Sequence, residues 1–119
     1  MHRLGFSEAD LPALIERLQA HPALKVVGVF THFSGSDSDE HDAFTREQAG
    51  RFEKMYQALA DSLGYLPLKH ACNSSGIVRW PEYHFDMVRL GIGLHGFDPT
   101  GSLNLRKTSQ LKSTISQVK

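Results

Sequence analysis

The spacing of apolar side chains along the chain switches between two periods, and Gly or Pro punctuation marks each switch. Leu11, Leu14, Ile15 and Leu18 fall at i, i+3, i+4 and i+7, the stripe of an amphipathic helix. Asp10 is its expected N-cap, Pro12 lies in the first turn where a missing N–H costs little, and His21-Pro22 stops it. Residues 25–33 (KVVGVFTHF) carry Val26, Val27, Val29 and Phe30 on both faces, the mark of a strand in a parallel sheet covered by helices. A second helix is predicted over residues 42–63, with Phe44, Phe52, Met55, Tyr56, Leu59 and Leu63 as its stripe and Gly64 at its C′ position. Residues 66–72 read as a short strand. Asn73-Ser74-Ser75 then open one or two helical turns ending at Trp80-Pro81, and residues 85–90 read as a third strand running into GIGLHG (91–96).

The order helix, strand, helix, strand, short helix, strand is the α/β alternation of a parallel sheet. From about residue 103 the chain becomes rich in Ser, Thr, Lys and Gln and alternates in character over 111–118, which predicts a linker and then a strand of a different domain. Three parallel strands cannot close a barrel, and an open sheet of that size leaves apolar edges and faces bare. An eight-stranded (β/α)8 TIM-type barrel needs about 250 residues. The pattern therefore predicts that residues 1–100 are the last three strand-helix units of such a barrel. Residues 101–119 would be a linker and the first strand of a C-terminal β domain. A compact α/β sandwich of 119 residues is the alternative.

Composition narrows the function classes. Forty per cent of residues are hydrophobic and 22% charged, which argues against disorder. Thirteen Lys and Arg balance thirteen Asp and Glu, so the electrostatic footprint of a nucleic-acid binder is missing. No apolar run approaches the roughly 18 residues of a membrane span, and no signal-peptide core is evident, which predicts a cytoplasmic chain with neither membrane nor nucleic acid as partner. The single Cys72 excludes an internal disulfide and a multi-cysteine zinc ribbon. His32, Asp37, Asp39, Glu40 and His41 lie close in sequence but show no metal-ligand spacing; a solvated, acidic helix entry is the simpler reading, and no metal is expected.

Barrel active sites form at the carboxyl ends of the strands. Those positions here are Arg3, then Thr31-His32-Phe33, then Cys72-Asn73-Ser74-Ser75, then Arg89-Leu90-Gly91-Ile92. Phosphate sites in such barrels use the loops after the last two strands, and an Asn-Ser-Ser helix opening beside Gly-Ile-Gly offers hydroxyls and closely approachable N–H groups. Each residue also has a plainer role: His32 as a satisfied strand-end histidine, Arg3 as a surface ion-pair partner, Asn73 or Ser74 as a helix cap, Cys72 as packing. Arg89 resists that treatment. It follows Met87-Val88 in a strand expected to be buried, and a buried guanidinium keeps its charge and must find acceptors.

At these residues the chain resembles the pyridoxal-phosphate-dependent alanine racemase family. The resemblance rests on MHRLGF (1–6), GVFTHFSGSD (28–37), HACNSSGIVRWPEYHFDMVRLGIGLHG (70–96) and LKSTISQVK (111–119), the third being the most specific. It implies pyridoxal 5′-phosphate as cofactor, alanine as substrate, a homodimer, and interconversion of L- and D-alanine that supplies peptidoglycan. It further implies that Arg89 hydrogen-bonds the cofactor's pyridine nitrogen and that His32 stands beside Arg89 and polarises a tyrosine of the partner subunit. Ser74 with the backbone of Gly91 and Ile92 would bind the phosphate, Asn73 would brace that site, and Arg3 would reach the phenolic oxygen. The family's cofactor-bonding lysine and catalytic tyrosine match no residue of this chain, so the segment alone is expected to be inactive. His95 stands where the family usually has tyrosine, and Cys72 where it usually has alanine. A non-catalytic phosphate- or pyridoxal-phosphate-binding module and a purely structural α/β interaction domain are the competing readings.

Overall fold

The computed structural model describes residues 4–118. Three α-helices and two short strands alternate: α1 (Leu11–Ala20), β1 (Gly28–Phe30), α2 (Asp42–Leu63), β2 (Leu68–His70) and α3 (Ser74–Arg79), with 3-10 turns before α1 and α2, after α3, and at Ile92–His95. β1 and β2 pair in parallel, Gly28 opposite Leu68 and Phe30 opposite His70. The helices fall where the apolar periodicity puts them. Gly64 ends α2 in the left-handed conformation (φ 73°), which costs a residue without Cβ little. Asp10 precedes α1 but does not cap it; its carboxylate turns back to the backbone N–H and hydroxyl of Ser7 (2.7 and 2.6 Å).

The strands are shorter than expected, and the third is not a regular strand. Residues 85–90 run parallel to β2, joined by one bridge, His70 to Met87, and by N–H bonds from Asp86 to the Lys69 carbonyl (3.0 Å) and from Arg89 to the Cys72 carbonyl (2.9 Å). The Asp86 side chain takes the Lys69 N–H at 2.7 Å, and Phe85 enters the segment at φ 51°. A side chain in the ladder and a left-handed residue at the entry both prevent regular pairing. Residues 111–118, predicted as a strand, carry no regular element. An alternating segment becomes a strand only against a partner ladder, and among the described residues none lies beside it.

One face of the sheet is covered and the other bare. Phe33, Ala49, Ala71, Cys72 and Trp80 form the core, with Ile77, Tyr83 and Phe85 packed against it. α2 contributes Thr45, Ala49, Phe52, Tyr56, Leu59 and Ala60. Phe52, Tyr56 and Leu59 of the expected stripe are thus buried, whereas Phe44 is 46% exposed. On the covered side Lys69 lies between the rings of Tyr56 and Phe85 (4.9 and 4.2 Å) and pairs with Glu53. The opposite face carries Phe30, Leu68, His70, Met87 and Arg89, and its apolar members are 43–60% exposed.

Candidate active site

The carboxyl ends of β1, β2 and the 85–90 segment converge on two donor sets. The first is built on Arg89. Its Nη2 donates to the carbonyls of Thr31 and Ala71, both at 2.9 Å, and so staples the exits of the two strands. Its Nη1 lies 3.3 Å from Nδ1 of His32. A guanidinium only donates, so Nδ1 accepts and the neutral ring carries its proton on Nε2. The guanidinium carbon stands 5.2 Å from the centre of the Phe30 ring, and buried Nε has no partner. Burial pulls the Arg89 pKa below its ordinary value, with the neighbouring Cys72 partly opposing it; a guanidinium so placed still holds its charge at neutral pH.

The second set is built on Ser74. Asn73 caps α3, its Oδ1 accepting the Gly76 N–H at 2.9 Å, and leaves Ser74 at the first helical position. Ser74 Oγ accepts the N–H groups of Gly91 (3.0 Å) and Gly93 (3.1 Å). Two backbone donors thus aim at one oxygen, and a hydroxyl whose oxygen accepts twice keeps its own hydrogen to donate. Glycine eases the approach: a Cβ on Gly93 would come 3.0 Å from Leu90 Cδ1, which would have to shift, and 3.4 Å from Ser74 Oγ. The arrangement suits a small anion.

His32 and Arg89 are therefore in contact, as are Ser74 and Gly91, and only Leu90 separates Arg89 from Gly91 in sequence. Ile92 is half-exposed and begins the 3-10 turn, and the second N–H on Ser74 Oγ is that of Gly93. Arg3 lies outside the described residues. Cys72 is fully buried and donates to the carbonyls of Tyr83 and Trp80 (3.3 and 3.7 Å). Burial first, offset in part by Arg89 and reinforced by Glu82, pushes its thiol up to about 11, which suits packing and not nucleophilic attack. The acidic helix entry is solvated as expected, with the Asp39 side chain 94% exposed, and Asp39 and Asp42 both reach Arg79, a side chain only 15% exposed. Among the described residues no group of three or more His, Cys, Asp or Glu is placed to hold a metal ion.

Three residues at the rim escaped the sequence reading. Gln48 donates from α2 to the His32 carbonyl, Ser36 donates to Asn73 Oδ1 (2.9 Å), and Arg79 donates to the Ser36 carbonyl (3.1 Å). Gln48 alone had a legible signal, a polar side chain in register with the buried positions Thr45, Ala49 and Phe52.

Comparison with known proteins gives this geometry a lineage. The family profile described as alanine racemase, N-terminal domain, matches residues 1–99. Alanine racemase 1 of Oceanobacillus iheyensis is 40% identical over 100 residues, which are 83% of this chain and 26% of that protein. The alanine racemase of Nitratidesulfovibrio vulgaris is 43% identical over 92% of this chain and 28% of its own length. Among solved structures, the alanine racemase of D-cycloserine-producing Streptomyces lavendulae superposes with a TM-score of 0.74 at 32% identity, covering 82% of this chain and 26% of that one. The Bacillus anthracis enzyme, solved with bound L-Ala-P, gives 0.76 at 28% identity over 90% and 29%. The chain spans about a quarter to a third of the length of these relatives. With its fold of the barrel type shared by these enzymes and its match running through both donor sets, the chain belongs to the alanine racemase N-terminal domain family.

Proposed function

We propose that this chain is the cofactor-gripping part of an alanine racemase that interconverts L- and D-alanine on pyridoxal 5′-phosphate in the cytoplasm and supplies D-alanine for peptidoglycan. In this reading residues 1–100 are the last three strand-helix units of the barrel and 101–119 lead into the C-terminal β domain. The remaining strands, the cofactor-bonding lysine and the tyrosine of a partner subunit complete a homodimeric enzyme.

The residues present fit the cofactor at two points. Ser74 and the N–H groups of Gly91 and Gly93 form a cradle for a phosphate dianion, with Asn73 fixing Ser74 through the helix cap and Ile92 continuing the turn. Arg89, with an unpartnered Nε and a guanidinium across the strand exits, is a donor suited to a ring nitrogen. Pyridoxal phosphate, when bound, supplies the electron-withdrawing ring that acidifies the Cα–H of the amino acid. Arg89 keeps the proton it donates, so the ring nitrogen stays unprotonated and withdraws less strongly, a bias toward returning the proton to Cα and against transamination. His32 is held by Arg89 at Nδ1, beside the strand exits, and the resemblance assigns it the polarisation of the partner subunit's tyrosine. Arg3 is assigned to the phenolic oxygen by the resemblance alone.

The observation that carries the reading is the contact between Arg89 and His32, because phosphate binding by itself needs neither residue. The test is racemisation of L-alanine by the full-length protein, with and without Arg89→Glu. We expect racemase activity in the wild type, with racemisation falling and side transamination rising in the variant. Unchanged rates of both reactions overturn the role of Arg89. Cofactor binding without turnover in the wild type would leave a binding module.

A further inference from the structure

Beyond Thr31 the ladder between β1 and β2 stops; its last bond runs from the Thr31 N–H to the His70 carbonyl (3.3 Å). The chain then passes through the residues that carry the site with no sheet to hold it. Side chains from three places take over. Arg89 holds the Thr31 carbonyl, Asn73 the Phe33 carbonyl (3.2 Å), and Arg79 the Ser36 carbonyl (3.1 Å). The His32 carbonyl between them is held from α2, by Gln48 Nε2 at 2.7 Å.

Gln48 spends its whole donor capacity here, because the same nitrogen donates its second hydrogen to Thr31 Oγ1 at 3.0 Å. Its Oε1 is buried with no partner. A flipped amide would set that oxygen against the His32 carbonyl, so the orientation is determined and the unpaired acceptor is its cost. Gln48 therefore fixes the peptide plane that follows the His32 Cα, while Arg89 meets the ring of the same residue.

We propose that Gln48 is a positioning residue of the active site: it orients His32 against Arg89 without touching substrate or cofactor. The proposal rests on the racemase reading for its catalytic consequence and on geometry alone for the orientation. Because Thr31 and Phe33 keep their own holders, losing Gln48 frees the peptide between them without releasing the segment.

The test substitutes Gln48→Leu in the full-length protein, with Thr31→Val as a second variant that removes one of the two anchors and keeps the branched shape. The first readout is the 15N signal of the His32 ring in cofactor-free protein. It is expected at the Nε2–H tautomer in the wild type and shifted toward the average of the two tautomers in Gln48→Leu, less so in Thr31→Val. The second is kinetic: kcat falls about tenfold in Gln48→Leu, while the Kd for pyridoxal phosphate stays within about twofold because Ser74, Gly91 and Gly93 lie outside the Gln48 contacts. An unmoved His32 signal overturns the proposal, as does an unmoved kcat, or a cofactor Kd that rises in step with the kcat loss. Wild-type protein without racemase activity refutes the racemase reading instead, and the histidine signal still decides what Gln48 does.

Discussion

Cys72, His70 and Arg89 are neighbours whose proton affinities have been moved by the same cause, removal from water. His70 stacks on Phe30 (5.0 Å between centres, planes 7° apart), and its pKa is lowered by burial first and by the charge of Arg89 second, so it faces the guanidinium as a neutral ring. Cys72 moves the opposite way because an acid resists losing its proton in an apolar site, reaching about 11 from an ordinary 9.0. That rise lowers the thiolate fraction at pH 8 about a hundredfold. Native protein should thus react with a disulfide reagent such as DTNB at least that much more slowly than denatured protein at the same pH. The sign for stability follows. Between about 9 and 11 the unfolded thiol ionises and the folded one does not, so its contribution is whole below 9 and is lost as pH climbs through 11. Equal rates for native and denatured protein would mean that the thiol is open to solvent.

Among the elements, the six-residue α3 and the turn at residues 91–93 form one unit, since Ser74 of the first accepts both N–H groups of the second. The two glycines of that turn are not equivalent. A Cβ on Gly91 would meet Ser74 Oγ at 3.7 Å, an ordinary contact, whereas on Gly93 it would press Leu90 at 3.0 Å and Ser74 at 3.4 Å. Gly93→Ala should therefore weaken binding of pyridoxal phosphate by the full-length protein about tenfold, the equivalent of one lost charge-assisted hydrogen bond, and Gly91→Ala much less. The same order should be absent for pyridoxal, which has no phosphate. Equal losses for both ligands would move the phosphate elsewhere. The helices of this unit and α2 were legible from periodicity and caps, because those signals are local. So was the pairing of Arg89 with strand-end acceptors, because a guanidinium in an apolar run must find them. The length of the strands was not legible, since a ladder is decided by what lies beside it: Asp86 enters the Lys69 position with a carboxylate, and Phe85 adopts a conformation no propensity foretells. Gln48 and Arg79 were missed for a related reason, as they act on main-chain carbonyls of residues 16 and 43 positions earlier.

At the scale of the whole molecule the bare face of the sheet is the feature that needs a physical account. Phe30, Leu68 and Met87 are 60, 53 and 43% exposed, on strands whose outer edges carry unpaired backbone groups. An apolar surface of this kind with open edges marks a place where another part of a protein packs. The proposed function supplies the cover, since a closed barrel turns this face inward and fills it with side chains from the other strands. A charge placed there separates the two situations. Leu68→Lys in the 119-residue chain puts an ammonium where more than half the side chain already meets water, a change of about 0.5 kcal/mol or less. In a closed barrel the same ammonium would be buried without a partner, at a cost of about 3 kcal/mol or more. Urea unfolding of both proteins, each with and without Leu68→Lys, measures the difference directly. A large loss in the full-length protein beside a small one in the short chain is the expected result. Two small losses would leave the face uncovered in the whole protein, and the segment could not then be part of a closed barrel.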